Sequence, residues 1–139
     1  MILSDPQTKI GYGTSSVHLT RTARIWLDEV GIVRTVVLPN ANIVLEDTVR
    51  NYEVVKELSQ GQRVPMYTDA RAVGSASRDV RVYASSDFVV KLVSATAVLV
   101  GSPVSRVLGN FFVRLNRPPY PTRLFTDEAE ALDWLKQFV

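Results

Sequence analysis

The chain has no cysteine and a single histidine, His18. Disulfides, thiolate metal sites and a cysteine nucleophile are therefore excluded, and one imidazole is too few for a zinc cluster or a Ser-His-Asp triad. Long apolar runs are equally scarce, and none approaches the roughly 18 residues a membrane-spanning helix needs. The opening "MILSDPQTKIGYGTSS" has neither the basic start nor the apolar middle of a secretory signal, which predicts a cytoplasmic protein. An excess of one charge is missing too. The 16 Lys and Arg against 14 Asp and Glu leave a net charge of +2, with the two signs interleaved, so a broad nucleic-acid footprint is not expected. No metal or other cofactor is expected from this composition.

What is present is an ordinary globular composition: 139 residues, 46% hydrophobic and 22% charged, enough to bury a core in one domain. Residues 1–16, with glycines and serines but no sustained period, read as a mobile leader, and 17–139 as a single α/β domain. "RTARIWLDEVGIVRTVVLP" predicts two strands, about 20–28 and 32–38, joined as a hairpin around Glu29-Val30-Gly31. The second is the more apolar and β-branched, which places it further inside the sheet.

After Pro39, Asn42 is the expected N-cap of a helix through "IVLEDTVRNYEVVKELSQ", stopped by Gly61. "RVPMYTDA" (63–70) reads as a strand, and "GSASRDVRVYASSDFVVKLVS" as helical with Ser77 as cap. "ATAVLVG" (95–101) has the continuous apolar character of a central parallel strand. Ser102 then caps a helix with Pro103 in its first position. Val104, Val107, Leu108, Phe111, Phe112 and Leu115 recur on one face of that helix. Gly109 interrupts the stripe at about 1 kcal/mol against alanine, so close approach of a neighbour is expected there. "NRPPYP" crosses as an extended strut, "TRLF" (122–125) is the last strand, and Thr126 is the expected cap of the final helix. The element order predicts a mixed sheet, with an antiparallel hairpin followed by right-handed parallel crossovers.

Three stretches, "VPMYTDARAVGSASRDVRVYAS", "AVLVGSPVSRVLGNFF" and "LNRPPYPTRLFTDEAEALDWL", resemble the small bacterial proteins grouped as STAS-like or SpoIIAA-like, of STAS/SEC14 type. The likeness runs from about Thr20 to the C-terminus. It implies a five-stranded mixed sheet with about four helices, and a non-enzymatic regulatory or binding role. In the STAS anti-sigma-factor antagonists a phosphorylated serine follows an aspartate at the start of the helix after the third strand. Here the matching region holds Thr68-Asp69 and Ser75-Ala76-Ser77-Arg78, with no Asp-Ser pair, and Arg78 falls nearest the serine's place. The phospho-switch is not carried over.

Six residues are candidates for interaction or regulation. Asp69 ends a strand, where open α/β sheets form crevices, although a salt bridge or loop anchor to Arg71, Arg78 or Arg81 is the favoured account of it. Ser75 and Ser77 are potential phosphoacceptors or plain caps, beside Arg78. Ser102 opens a helix whose free N–H groups suit an anion, with Arg106 one turn on. No catalytic, metal or cofactor-binding residue stands out, so no enzyme is predicted. The leading expectation is a regulatory protein-interaction module with a protein partner of unknown identity, and a homodimer stays open. The alternative is a small-molecule or lipid-binding domain, with an apolar pocket between the "VSRVLGNFF" helix and the sheet. A cavity of several hundred Å3 would favour that alternative.

Overall fold

The computed structural model describes residues 16–139; the predicted leader, apart from Ser16, lies outside the described residues. So do the side chains of Val104, Leu108, Phe111, Phe112, Leu115 and Asn116, and with them most of the predicted apolar stripe. In chain order the elements are β1 (His18–Leu19), β2 (Ala23–Leu27), β3 (Val33–Val37), β4 (Asn42–Ile43), α1 (Leu45–Ser59), β5 (Val64–Asp69), β6 (Ser75–Ala76), α2 (Arg78–Tyr83), α3 (Asp87–Leu92), β7 (Val93–Leu99), α4 (Pro103–Asn116), β8 (Thr122–Phe125) and α5 (Glu128–Leu135). A 3-10 turn, Lys136–Phe138, follows.

The main sheet has strand order β1-β2-β3-β5-β7-β8. β1, β2 and β3 are antiparallel, whereas β3-β5, β5-β7 and β7-β8 are parallel. The expected hairpin and crossovers are therefore present, but the sheet has six strands rather than five, and a separate two-strand ladder joins β4 to β6. Five helices are seen among the described residues where about four were expected. The extra strands are two residues each, too short to leave a periodic signal in the sequence.

Local chemistry fixes the turns. In the β2–β3 hairpin, Asp28 Oδ1 accepts the backbone N–H groups of Val30, Gly31 and Ile32 at 2.9–3.0 Å. Its Oδ2 accepts from Arg34 Nε at 2.9 Å. Gly31 has φ 106°, a left-handed conformation that glycine adopts without a side-chain clash.

Three boundaries differ from expectation. Asn42 is not the cap of α1; it pairs in β4 with Ser75 of β6, and Val44 takes the cap position. Asp47 substitutes for a capping side chain by accepting the Val44 N–H at 3.0 Å, and it also binds Arg21 at 2.8 and 2.5 Å. The Arg21 hydrogen bonds hold the Asp47 carboxyl below the usual carboxylate range. The stretch predicted as one helix after Gly74 divides into β6, α2 and α3. At the last helix Asp127, not Thr126, is the cap, its Oδ2 accepting the Glu130 N–H at 3.0 Å. Asp and Thr both cap well, and adjacency made either choice plausible from sequence.

The two sheet faces are covered differently. On one face α5 lies on Tyr67, Ala95, Ala97, Leu99 and Phe125, with Ala131 and Leu135 fully buried. The small side chains of Ala95 and Ala97 let α5 approach closely. Trp134 stacks obliquely on Phe125 and edge-on to Phe138, at 5.8 and 5.0 Å between ring centres. On the other face α1 and α3 bury Val54, Val55, Val89 and Leu92 against Ile25, Val33 and Met66. Removing any one of these aliphatic side chains from water contributes about 1.5–3 kcal/mol. α4 covers the β8 end of this second face.

Candidate functional site

Among the described residues the second face is not filled to its end. Between the sheet, α1, α2 and α4 lies a cavity of about 420 Å3. Register explains its floor. Thr35, Thr68, Val98 and Leu124 stand side by side across β3, β5, β7 and β8, and Met66, Thr96 and Thr122 form the next row. Side chains of one row project to one face, so the floor alternates methyl groups with threonine hydroxyls. Asn51, Tyr52 and Val55 of α1, Val80 and Arg81 of α2, and Gly109 and Val113 of α4 form the walls. The strut contributes Tyr120, whose hydroxyl donates to Ala84 O at 2.8 Å and ties the strut to the end of α2.

Gly109 is where α4 comes closest. A β-carbon built there would overlap Leu124 Cδ2, so the glycine permits the helix to rest on β8. The close approach expected from sequence is present, and the same glycine lines the cavity.

Burial pushes the Tyr52 phenol well above its ordinary pKa, with the neighbouring Tyr120 adding to the effect. Burial raises Tyr120 as well. Both rings stay neutral at physiological pH and act as hydroxyl groups rather than bases. Three buried oxygens lining the cavity, Thr35 Oγ1, Thr96 Oγ1 and Asn51 Oδ1, have no hydrogen-bond partner. The Asn51 amide nitrogen is engaged, donating to Thr22 Oγ1 at 3.1 Å. The cavity is partly open to solvent. Water filling it would find mostly methyl groups.

The residues singled out from sequence lie elsewhere. Asp69 points to the opposite sheet face from Thr68 and is 9% exposed. It receives Arg71 Nε and Nη2 at 2.9 and 2.7 Å and the Arg71 backbone N–H at 3.1 Å. Those bonds hold its pKa down, and the pair serves as the loop anchor. Ser75 donates to Asn42 Oδ1 at 2.9 Å. Ser77 occupies the cap position of α2, but its hydroxyl donates to the Asp79 carboxylate and accepts no helix N–H. Arg78 begins α2 and is exposed. Ser102 does cap α4, accepting the Ser105 N–H at 3.1 Å, and the Arg106 backbone N–H donates to Ser102 O at 2.9 Å. Ser75, Ser77 and Arg78 thus share one continuously exposed run, 71–79. Asp69 and Ser102 follow adjacent strands without sharing a cluster. Among the described residues no three His, Asp or Glu side chains converge as metal ligands, and no helix is long and apolar enough to cross a membrane.

Thr35, Asn51, Thr68 and Thr96 were not singled out. The signal for the threonines was one at an inward, cavity-facing position in each of β3, β5 and β7; Asn51, on α1, left none.

An antiparallel hairpin leading into parallel crossovers, with α5 on one face of the sheet and α1, α3 and α4 on the other, makes this a SpoIIAA-like α/β fold. The structure is similar to the crystal structure of an uncharacterised protein from the DUF3478 family with a SpoIIAA-like fold from Shewanella loihica PV-4. That match has a TM-score of 0.54 at 12% identity, over 94% of this chain and 99% of the other. The chain belongs to the family described as Domain of unknown function (DUF7793), whose model matches residues 25–139. It is also similar, at 34% identity over 80% of this chain and 96% of the other, to a protein with unknown function from Arthrobacter sp. FB24, with a TM-score of 0.31. Comparison with curated proteins finds no match.

Proposed function

We propose that this SpoIIAA-like domain binds a small, largely apolar molecule in the cavity between the sheet and α4. The observation that carries this reading is the cavity itself, about 420 Å3 with a predominantly methyl and aromatic lining, within the size range of ligand pockets. Burying an apolar ligand there replaces poorly bonded water and restores the contacts the walls lack. The reading is of binding without catalysis. Supporting it, the ionisable groups on the walls are two tyrosines held protonated by burial and one arginine, Arg81. Titration with the neutral dye 1-aminoanthracene tests it. Saturable binding at one site is expected, lost on Val98→Phe, which fills the floor without a polar change. A wild-type protein that takes up no dye at micromolar to millimolar concentration overturns the proposal.

A second reading, a regulatory protein-interaction module, is supported by the exposed run 71–79, which displays Ser75, Ser77, Arg78 and the apolar Val73, 38% exposed. Cross-linking from a photoreactive residue at position 73 in the native host tests it. Capture of no single protein partner would remove that reading.

A further inference from the structure

The cavity carries more information than its volume, because the polar atoms in its walls are unequal. The Thr122 hydroxyl donates to the Tyr120 carbonyl at 3.1 Å, whereas Thr35 Oγ1, Thr96 Oγ1 and Asn51 Oδ1 are buried and unpartnered. Thr35 is only 6% exposed. A buried acceptor without a donor is expensive, and native structures rarely keep one unless a missing partner supplies the bond. Asn51 Oδ1 can only accept, while the Thr35 hydroxyl can donate or accept. The group that satisfies both must itself donate.

Charge narrows it further. A carboxylate brought to Asn51 Oδ1 would set acceptor against acceptor, and the cation among the lining residues, Arg81, is exposed on α2. A cationic group would meet no carboxylate among the lining residues. A cation would be desolvated without a compensating charge, and a carboxylate would have only the solvent-exposed Arg81. Resting on the pocket reading above, we infer that the ligand is an uncharged amphiphile, an apolar body ending in a hydroxyl-type donor that bonds Asn51 Oδ1 and Thr35 Oγ1. Specificity of this kind is strong, because a molecule lacking the donor leaves Asn51 Oδ1 unpaired.

Three probes of similar size separate the possibilities: 1-decanol, its isomer methyl nonyl ether, and sodium decanoate, each competing with 1-aminoanthracene. The alcohol should bind about tenfold more tightly than the ether, and decanoate more weakly than the alcohol. Asn51→Leu removes the acceptor at nearly constant shape. It should bring the alcohol-to-ether ratio to less than about threefold, chiefly by weakening the alcohol. Equal binding of alcohol and ether, or a ratio untouched by Asn51→Leu, overturns the inference while the pocket reading stands. Tighter binding of decanoate also overturns it, in favour of an anionic ligand. If none of the three displaces the dye and the dye itself does not bind, both readings fall. Should Asn51→Leu not fold, the wild-type ratio decides alone.

Discussion

Replacing Gly109 by alanine sets two effects of similar size against each other. In the middle of α4, alanine improves helix propensity by about 1 kcal/mol. Against that gain, the new β-carbon overlaps Leu124 Cδ2, the end of a side chain 8% exposed on β8. Relief requires Leu124 to leave its rotamer, at about 0.5–1.5 kcal/mol, and the cavity it borders offers somewhere to go. The two terms nearly cancel, so Gly109→Ala should stay within about 1 kcal/mol of wild type in urea unfolding. Leu124, turned inward, takes space from the ligand, so 1-aminoanthracene should bind several-fold more weakly. A double-mutant cycle isolates the contact. On a Leu124→Ala background the overlap is gone, and Gly109→Ala should then stabilise by the full ~1 kcal/mol, a shift of a few degrees in Tm. Gly109→Leu, with three further carbons to place, should be destabilising by about 1–3 kcal/mol. If Gly109→Ala in the otherwise wild-type chain is stabilised by the whole propensity gain and binds dye normally, the close contact is refuted.

Ser77→Ala should change stability by less than about 0.5 kcal/mol, because the Ser77 hydroxyl holds Asp79 instead of a helix N–H, whereas Ser102→Ala should cost about 1 kcal/mol. Ser77→Asp sets a second carboxylate beside Asp79 and should be slightly destabilising; thermal melts of the three variants check this. Asp127→Ala should lose about 1 kcal/mol and Thr126→Ala almost nothing, by the same measurement. Asp69 and Asp47 have folded pKa values below the unfolded one of about 3.9. The stability they contribute is present above about pH 4 and lost as pH falls through the lower folded values. Arg71→Gln should therefore be less stable than wild type at neutral pH and converge with it near pH 2; melting curves that stay equally separated down to that pH would exclude the linkage.

Long periodic elements were legible in the sequence, and short or chemically ambiguous ones were not. The β-branched run ending at Val37 and the apolar run through Leu99 announced interior strands because the same physics, burial on both faces, selects those residues in any parallel sheet. Gly109 was legible as a contact, since a helix-destabilising residue in a good helix needs a reason. β4 and β6 were hidden because two residues carry no period, and Asn42 looked like a cap until its actual partner, Ser75, came from 33 residues away. The cavity itself was foreseen only as an alternative. Its volume depends on how α4 sits over β8, a tertiary distance that no local pattern encodes. Its floor threonines were passed over because each, alone in its strand, is an ordinary β-former.

The two-residue ladder between β4 and β6, with the backbone hydrogen bonds beside it, ties the cavity wall to the exposed run 71–79. Ile43 lines the cavity and pairs with Ala76, which sits in the exposed run 71–79, and Val80 and Arg81 return to the cavity wall one turn later. Were the proposed ligand to displace Ile43, the ladder would carry that displacement to Ala76, and a partner held by the run would act on Ile43 in return. The two affinities would then be linked reciprocally, each altering the other by the same factor.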